Sequence, residues 1–139
     1  MEDVLCIDSK ITEFCGTTTK EKLDNRLKNK NSLILVARFK GELAGYKIGY
    51  ELTNTEFYSW LGGVSPDYRS LGVASALRNY QENWALNSGY SLIRVRSMNR
   101  FSAMLHLLIA SGYKINGYDD NGSIETSKIH FIKQLQCKA

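Results

Sequence analysis

The fold is decided by the stretch Val64-Ser65-Pro66-Asp67-Tyr68-Arg69-Ser70-Leu71-Gly72-Val73-Ala74, which joins a predicted strand to a predicted helix. Upstream, residues 56–64 are rich in the aromatic and branched side chains that favour strands. Downstream, apolar side chains recur at the spacing of one helix face, at Val73, Leu77, Tyr80 and Trp84. The chain's only proline lies between the two elements, as expected of the loop that separates them.

The start of that helix is a candidate anion site. A helix N-terminus offers unpaired backbone N–H groups and the positive end of the helix dipole. Gly72 would let a ligand approach the backbone without meeting a Cβ atom. The stretch therefore predicts an anionic, phosphorylated ligand.

These residues resemble the signature of the GNAT superfamily of acetyl-CoA-dependent N-acetyltransferases. That signature is a valine, a proline two residues on, and then R/Q-x-x-G-x-G/A, which Arg69-x-x-Gly72-x-Ala74 fits. A second segment, from Asn99 to Gly112-Tyr113, is similar to the family's later helix and its closing Gly-aromatic pair. The resemblance covers about residues 33–135.

The resemblance implies acetyl-CoA as cosubstrate. In the family, two central strands, here 56–64 and 91–97, splay apart, and the pantetheine arm enters the gap like an added strand. Glycine inside a strand often marks a bulge or a close backbone approach, which agrees with the Gly62-Gly63 pair. The cofactor-binding residues implied are Gly63, Val64, Arg69, Ser70, Leu71, Gly72, Val73, Ala74 and Asn99.

The remaining periodicities complete an α+β order of elements. A capping box at Thr18-x-x-Glu21 predicts a helix to about Lys30, and Gly89 and Gly112 are predicted to end two further helices. The predicted strands are 33–39, 43–52, 56–64, 91–97, 113–118 and 127–135, and the later helices run from about 69 to 89 and from 99 to 111. Short turns around Lys40-Gly41-Glu42 and Asn121-Gly122 predict two hairpins.

This order predicts a GNAT-like mixed, mostly antiparallel central sheet flanked by helices, in one domain over residues 1–139. Family members usually begin with a strand before the first helix. Here the chain reaches Ile7-Asp8-Ser9-Lys10 almost at once, so the first edge strand is predicted to be short or missing. An exposed edge is a candidate for pairing in a homodimer.

The chemistry requires a neutral amine, because an alkylammonium with a pKa near ~10.4 is only about a thousandth deprotonated at neutral pH. The candidate catalytic side chains are Glu56, Tyr58 and His106, with His130 as a further titratable group. In many family members a tyrosine beside the sulfur stands four residues before the Gly-aromatic pair, and here that residue is Leu108. Its helix carries an apolar stripe of Phe101, Met104, Leu105, Leu108 and Ile109, which predicts that Leu108 belongs to the core.

The resemblance therefore predicts transfer of an acetyl group to a primary amine of a small molecule or peptide. Four aromatic residues, Tyr46, Tyr50, Tyr58 and Trp60, are interpreted either as a wall of the acceptor pocket or as core. The alternative function is a non-catalytic module of the same fold that binds acyl-CoA as a sensor, a hypothesis favoured by the absent tyrosine. The acceptor is not specified, since acceptor pockets are built from variable loops.

Composition narrows the class of protein. The net charge of +4 comes from scattered basic residues, and the densest group, residues 20–30, is interleaved with acids as on a solvated helix face, so no nucleic-acid partner is predicted. Cys6, Cys15 and Cys137 lack the spacing of a metal site or a disulfide framework. The longest apolar run, 33–37, is too short for a membrane span, and the acidic start is unlike a signal peptide. The sequence thus predicts a cytoplasmic protein without metal.

Overall fold

The computed structural model describes residues 1–11 and 18–136. Its helices are α1 (Glu2–Ser9), α2 (Lys20–Leu27), α3 (Val73–Asn87) and α4 (Ser102–Ala110), with a short 3-10 turn at Pro66–Tyr68. Its strands are β1 (Ser32–Phe39), β2 (Glu42–Thr53), β3 (Glu56–Val64), β4 (Leu92–Met98), β5 (Lys114–Asp119) and β6 (Lys128–Gln134).

The strands form one sheet in the order β1-β2-β3-β4-β6-β5. Only β3 and β4 are parallel, and every other neighbouring pair is antiparallel. The predicted mixed, mostly antiparallel α+β fold is confirmed. On the β1 side the sheet ends at β1, and residues 2–9 are helical, so the described chain has no strand ahead of the first helix, as predicted.

The hairpin between β1 and β2 follows from its two turn residues. Phe39 pairs with Glu42, which leaves Lys40 and Gly41 as the loop. Both have left-handed backbone angles, with φ of 51° and 85°, as a type I′ turn requires. Lysine tolerates this conformation at a cost, whereas glycine adopts it freely.

α3 and α4 end in the same local motif, and the sequence Ser-Gly-Tyr follows each of them. Gly89 and Gly112 have φ of 97° and 92°, and the tyrosine after each donates its backbone N–H back into the helix. Tyr90 N donates to Ala85 O at 3.0 Å, and Tyr113 N donates to Leu108 O at 3.0 Å. These are Schellman caps, and they place both tyrosines in the core.

The two faces of the sheet carry different helices. α3 and α4 cover one face, where Phe57, Ile93, Leu108 and Phe131 are packed in one buried cluster. α1 and α2 lie on the other face, where a second cluster is formed by Val4, Ile7, Leu23, Tyr46 and Ile48. Burying each large apolar side chain contributes about 1.5–3 kcal/mol.

Four sequence-based details are corrected. α2 is capped by Thr19, whose Oγ1 accepts from Lys22 N at 3.1 Å, rather than by Thr18. α3 begins at Val73 rather than near Arg69, because Ser70 and Gly72 have φ of 65° and 81° and interrupt any helix there.

The other two corrections concern α4. It begins at Ser102, so Asn99 precedes the helix instead of starting it. Ile109 is 57% exposed, so the apolar stripe of α4 ends at Leu108, which is 4% exposed and in the core as predicted. Cys6 is an exposed free thiol, and Cys15 and Cys137 lie outside the described residues.

Candidate active site

A gap opens in the middle of the sheet between β3 and β4. The two strands pair only from Glu56 opposite Leu92 to Ser59 opposite Val95. On its other side β3 stays paired with β2 as far as Val64, which faces Gly45. The carboxyl half of β3 therefore lacks a strand neighbour on the β4 side, and its backbone groups there are open to a ligand that adds like a strand.

A β-bulge lies where the gap begins. Ile48 of β2 pairs with Leu61 and the next residue, Gly49, pairs with Ser59, so Trp60 is the extra residue. Trp60 and Leu61 are consecutive, yet both pack against the cluster on the α1 face. A bulge bends and twists its strand, which gives a physical reason for β3 to diverge from β4 at this point.

The gap leads to the N-terminus of α3. Gly72 is the N-cap residue, no side chain caps the helix, and its first turn holds no acidic residue. A Cβ atom on Gly72 would meet nothing within 4 Å, so the space over this turn is open. Free amides, a helix dipole and open space are what a phosphate group requires.

Eight of the nine predicted cofactor-binding residues lie between the end of β3 and the start of α3. Gly63 and Val64 end β3, Arg69 to Gly72 form the loop, and Val73 and Ala74 begin α3. Arg69 folds back toward β3, with Nε donating to Val64 O at 3.4 Å. Tyr68 is held beside it by a hydrogen bond to Glu42.

Asn99 lies directly after β4, on the opposite side of the gap. Its side-chain Nδ2 donates to Ile124 O at 2.8 Å, so the amide fixes the loop between β5 and β6. Its predicted contact with the cofactor stays a prediction.

A cleft of about 340 Å³ lies on the α1 and α2 face of the sheet, over the paired part of β3 and β4. We call it the basic trough. Its lining residues are Arg26, Tyr50, Leu52, Tyr58, Arg94, Val95, Arg96, Asn116, His130 and Phe131. A larger depression of about 560 Å³ is lined only by residues 19–30, so it does not reach the gap between β3 and β4.

Strand register explains which side chains share the trough. Tyr50, Tyr58 and Arg94 are directly opposite one another across β2, β3 and β4. Arg96 of β4 is opposite His130 of β6. Tyr50 and Tyr58 meet edge to face, with ring centroids 5.3 Å apart.

The predicted catalytic residues are placed differently from one another. Tyr58 lines the trough, and burial raises its pKa, so near neutral pH the phenol is a hydrogen-bond donor rather than a base. Glu56 forms an ion pair with Arg94 and so neutralises one wall of the trough. His106 is exposed on α4 and does not line the trough. His130 does line it, with Nε2 2.8 Å from Asp119 Oδ2.

The four aromatic residues of the predicted acceptor wall separate into two groups. Tyr50 and Tyr58 line the trough, as one of the two interpretations expected. Tyr46 is 1% exposed and donates to Asp8 Oδ1 at 2.7 Å, so it belongs to the core. Trp60 packs beside the core and carries the guanidinium of Arg26 4.8 Å from its ring centroid.

Sequence reasoning missed the three arginines of the trough. Arg26 was assigned to a solvated helix face, but it reaches the sheet, where Nη1 donates to Tyr50 Oη at 3.2 Å. Arg94 and Arg96 were given no role. Because Arg94 and Arg96 are two residues apart on a predicted strand, their side chains lie on the same face of the sheet. This spacing was the signal in the sequence that could have found them.

Residues 3–107 match the family model for the acetyltransferase (GNAT) family. The chain belongs to that family. A search of curated proteins gives no match.

Several solved structures share the fold at low sequence identity. The ribosomal-protein-S18-alanine N-acetyltransferase from Escherichia coli aligns with a TM-score of 0.83 and 15% identity over 99% of this chain and 89% of that one. An aminoglycoside 6'-acetyltransferase type Ii aligns at 0.79 and 16% identity over 99% and 91%. A GNAT family acetyltransferase from Elizabethkingia anophelis with acetyl-CoA bound aligns at 0.75 and 18% identity over 95% and 88%. At these identities the likeness shows the fold.

Within residues 1–11 and 18–136, no cluster of three or more His, Cys, Asp or Glu side chains is placed to hold a metal ion. None of the helices in that part of the chain is long and apolar enough to cross a bilayer.

Proposed function

We propose that this GNAT protein is an N-acetyltransferase that uses acetyl-CoA and acts by direct attack of a primary amine on the thioester. The observation that carries the proposal is the gap between β3 and β4, which leads from the bulge at Trp60 to the uncapped N-terminus of α3. Elongated pantetheine suits the gap, and pyrophosphate suits the helix start.

Each part of the chain has a task in this proposal. The amides of Leu71 to Ala74 bind the pyrophosphate, and the backbone of Gly63 and Val64 hydrogen-bonds the pantetheine. When bound, acetyl-CoA supplies the thioester carbonyl as electrophile. The acceptor enters from the face of the sheet that carries the basic trough, so its amine meets the carbonyl near the start of the gap.

Proton transfers complete the scheme. The amine must lose a proton, and the departing thiolate, with a pKa near ~8.5, gains from a donor. Leu108 cannot donate one, because it is an apolar side chain in the core. Tyr58 is the candidate proton donor among the predicted catalytic residues, because its phenol lines the trough. Glu56 and His106 stay weaker candidates from their positions.

The direct test is calorimetry with CoA on Gly72→Val. A branched side chain at the helix start would block the amides, so we expect CoA affinity to fall at least ~100-fold, which corresponds to the loss of charged hydrogen bonds of about 1.5–3 kcal/mol each. Gly122→Val is the matched control, since Gly122 also has a positive φ, 91°, and open space around its Cβ position. It carries the same backbone cost away from the gap.

A folded Gly72→Val variant with unchanged CoA affinity would contradict the proposal. Acetyl transfer itself is tested by free CoA release with a panel of amines. Acetyl-CoA binding without release for any amine would favour the sensor function, which the absence of a side-chain acid at Leu108 supports.

A further inference from the structure

The basic trough carries positive charge that its own residues do not neutralise. Its lining includes Arg26, Arg94 and Arg96 and no carboxylate. Glu56 is paired with Arg94. Arg26 contacts the ring of Trp60 and the hydroxyl of Tyr50, and neither contact offsets its charge.

Arg96 is the most available of the three. It lies opposite His130 on the sheet, and it forms no hydrogen bond or ion pair with any residue in the described part of the chain. Asp119, on the neighbouring strand β5, lies with Oδ2 2.8 Å from His130 Nε2. A guanidinium with a free fork of donors is suited to bind a planar anion through two hydrogen bonds.

The positive field extends beyond the lining. The pKa of Lys128 is lowered, first by burial and then by the charges of Arg96, Arg100 and Lys22. These groups come from β6, β4, the turn after β4 and α2, so cations from four elements converge on one region. An anion bound there would relieve their mutual repulsion.

We propose that the trough binds a carboxylate of the acceptor, with Arg96 as the principal ligand, so that the substrates are amino acids or peptides bearing a carboxylate close to the reacting amine. This inference rests on the proposed acetyltransferase function and narrows its substrate class. Polycationic amines are disfavoured by the same charges. The field also opposes the ammonium form of a bound amine, which lowers its pKa and favours the neutral nucleophile.

The test compares acceptors that differ only in the carboxylate. Each standard amino acid is paired with its carboxamide, and short peptides with an acidic residue near the N-terminus are paired with their Asn or Gln counterparts. Free CoA release gives kcat/KM for each member. For the wild type we expect the acid to exceed the amide at least ~10-fold in the preferred pair, as for a charge-assisted bidentate contact.

Arg96→Gln should reduce that acid-to-amide ratio to about 1–2. Because both acceptors are measured on the same variant, any change in folding or in acetyl-CoA binding cancels in the ratio. Arg38→Gln is the matched control, since Arg38 is an exposed arginine of the same sheet paired with Asp3, and its ratio should stay at the wild-type value. A wild-type ratio near 1, or a ratio that Arg96→Gln leaves unchanged, would overturn the inference.

A second measurement does not depend on turnover. The guanidinium Nε–H signal of Arg96, assigned by its loss in Arg96→Gln, is followed by NMR in the presence of CoA. Amino acids should shift this signal and their carboxamides should not. Peptides that shift it when free amino acids do not would identify a peptide as the source of the carboxylate.

The outcomes separate the two proposals. If carboxylates shift the Arg96 signal but no amine releases CoA, acetyl transfer fails and carboxylate binding stands. If acids and amides act alike on the signal, carboxylate binding is wrong even where acetyl transfer occurs. A shift caused by a 12-nucleotide single-stranded RNA and by no carboxylate would also overturn it, in favour of a nucleic-acid surface.

Discussion

The two faces of the sheet differ in how their charged side chains are paired. On the α3 face, Glu82 accepts hydrogen bonds from Lys133 Nζ at 2.8 Å and Tyr113 Oη at 3.0 Å, and Arg78 Nε lies 3.6 Å from it. We call these four residues the Glu82 cluster. On the α2 face, Arg94 of the basic trough is paired with Glu56, whereas Arg26 and Arg96 have no carboxylate partner in the described residues. The two cations of the Glu82 cluster thus have a carboxylate of the chain beside them, and two arginines of the trough do not.

The difference follows from what covers each face. α3 lies over the Glu82 cluster, and the side chains of Glu82 and Arg78 are only 14% and 16% exposed. Charges in such a place are costly unless they are paired, so removing one partner of the cluster would destabilise the fold. The trough is an open cleft, and water can solvate its guanidinium groups. The paired charges of the Glu82 cluster therefore indicate a structural role, and the two arginines of the trough without a carboxylate partner are the basis of the acceptor site proposed above.

The largest effect is expected for Glu82→Gln, which removes the carboxylate of the Glu82 cluster. An amide would leave Lys133 and Arg78 without a counter-charge, and we expect a loss of about 2–4 kcal/mol in the free energy of unfolding. Urea denaturation measures it. Glu21→Gln, on the exposed surface of α2, is the control and should stay within about 0.5 kcal/mol of the wild type. A loss below about 1 kcal/mol for Glu82→Gln would break the comparison.

A smaller effect comes from Lys47, which enters the same side of the sheet near the cluster. Burial lowers the pKa of Lys47 from 10.5 to about 8, Glu82 raises it and Arg78 lowers it further. Between these values the unfolded chain binds more protons, so stability rises with pH from about 8 to 10. We expect a rise of about 1–2 kcal/mol from this residue.

The check is a set of urea denaturation curves from pH 7.5 to 9.5 for the wild type and Lys47→Met. The variant removes the ammonium group and should lack the rise. The pH range stops at 9.5 because tyrosines begin to affect stability above it. Burial raises the pKa of Tyr113, so the stability that this residue contributes is lost only above about pH 10, where the tyrosine of the unfolded chain ionises. Equal pH dependence of stability in the two proteins would show that folding does not lower the pKa of Lys47.

The smallest effect on stability is expected for Arg96→Gln in the trough. Arg96 has no partner in the described part of the chain, so the free energy of unfolding should change by no more than about 0.5 kcal/mol. Arg94→Gln is the matched comparison and should lower the free energy of unfolding by more, since it leaves Glu56 without its ion-pair partner. A loss of more than about 1 kcal/mol in the free energy of unfolding for Arg96→Gln would show that Arg96 stabilises the folded chain.

Local signals in the sequence predicted most of the elements. The bounds of β3 are those expected from its aromatic and branched residues, and Gly89 and Gly112 end helices as expected. The start of α3 was predicted too early, because a left-handed serine at position 70 leaves no mark in the sequence. Ile109 was assigned to the core because helical spacing cannot tell how far the neighbouring strand extends.

The site was predicted unevenly. Loop residues 69–72 could be proposed from the sequence because a ligand held by backbone amides requires glycine and a strand-to-helix turn, and both are local features. Their contact with a cofactor stays a prediction. The bulge at Trp60 was only hinted at by Gly62-Gly63, and the structure packs the side chain of Lys47 against Gly62. The trough was missed, because β6 lies between β4 and β5 and brings His130 opposite Arg96 across more than thirty residues of chain.

The sequence by itself determined the order of helices and strands, the glycine-bearing loop before α3 and the burial of Leu108. These depend on side-chain periodicity and on backbone angles that few residues adopt, so they are encoded within short windows. Only the tertiary structure decided which charges meet a partner. Strand order and register decide that Glu82 pairs with Lys133 and that Arg96 has no carboxylate partner in the described residues. Side chains that are distant in the chain become neighbours only when the sheet is assembled.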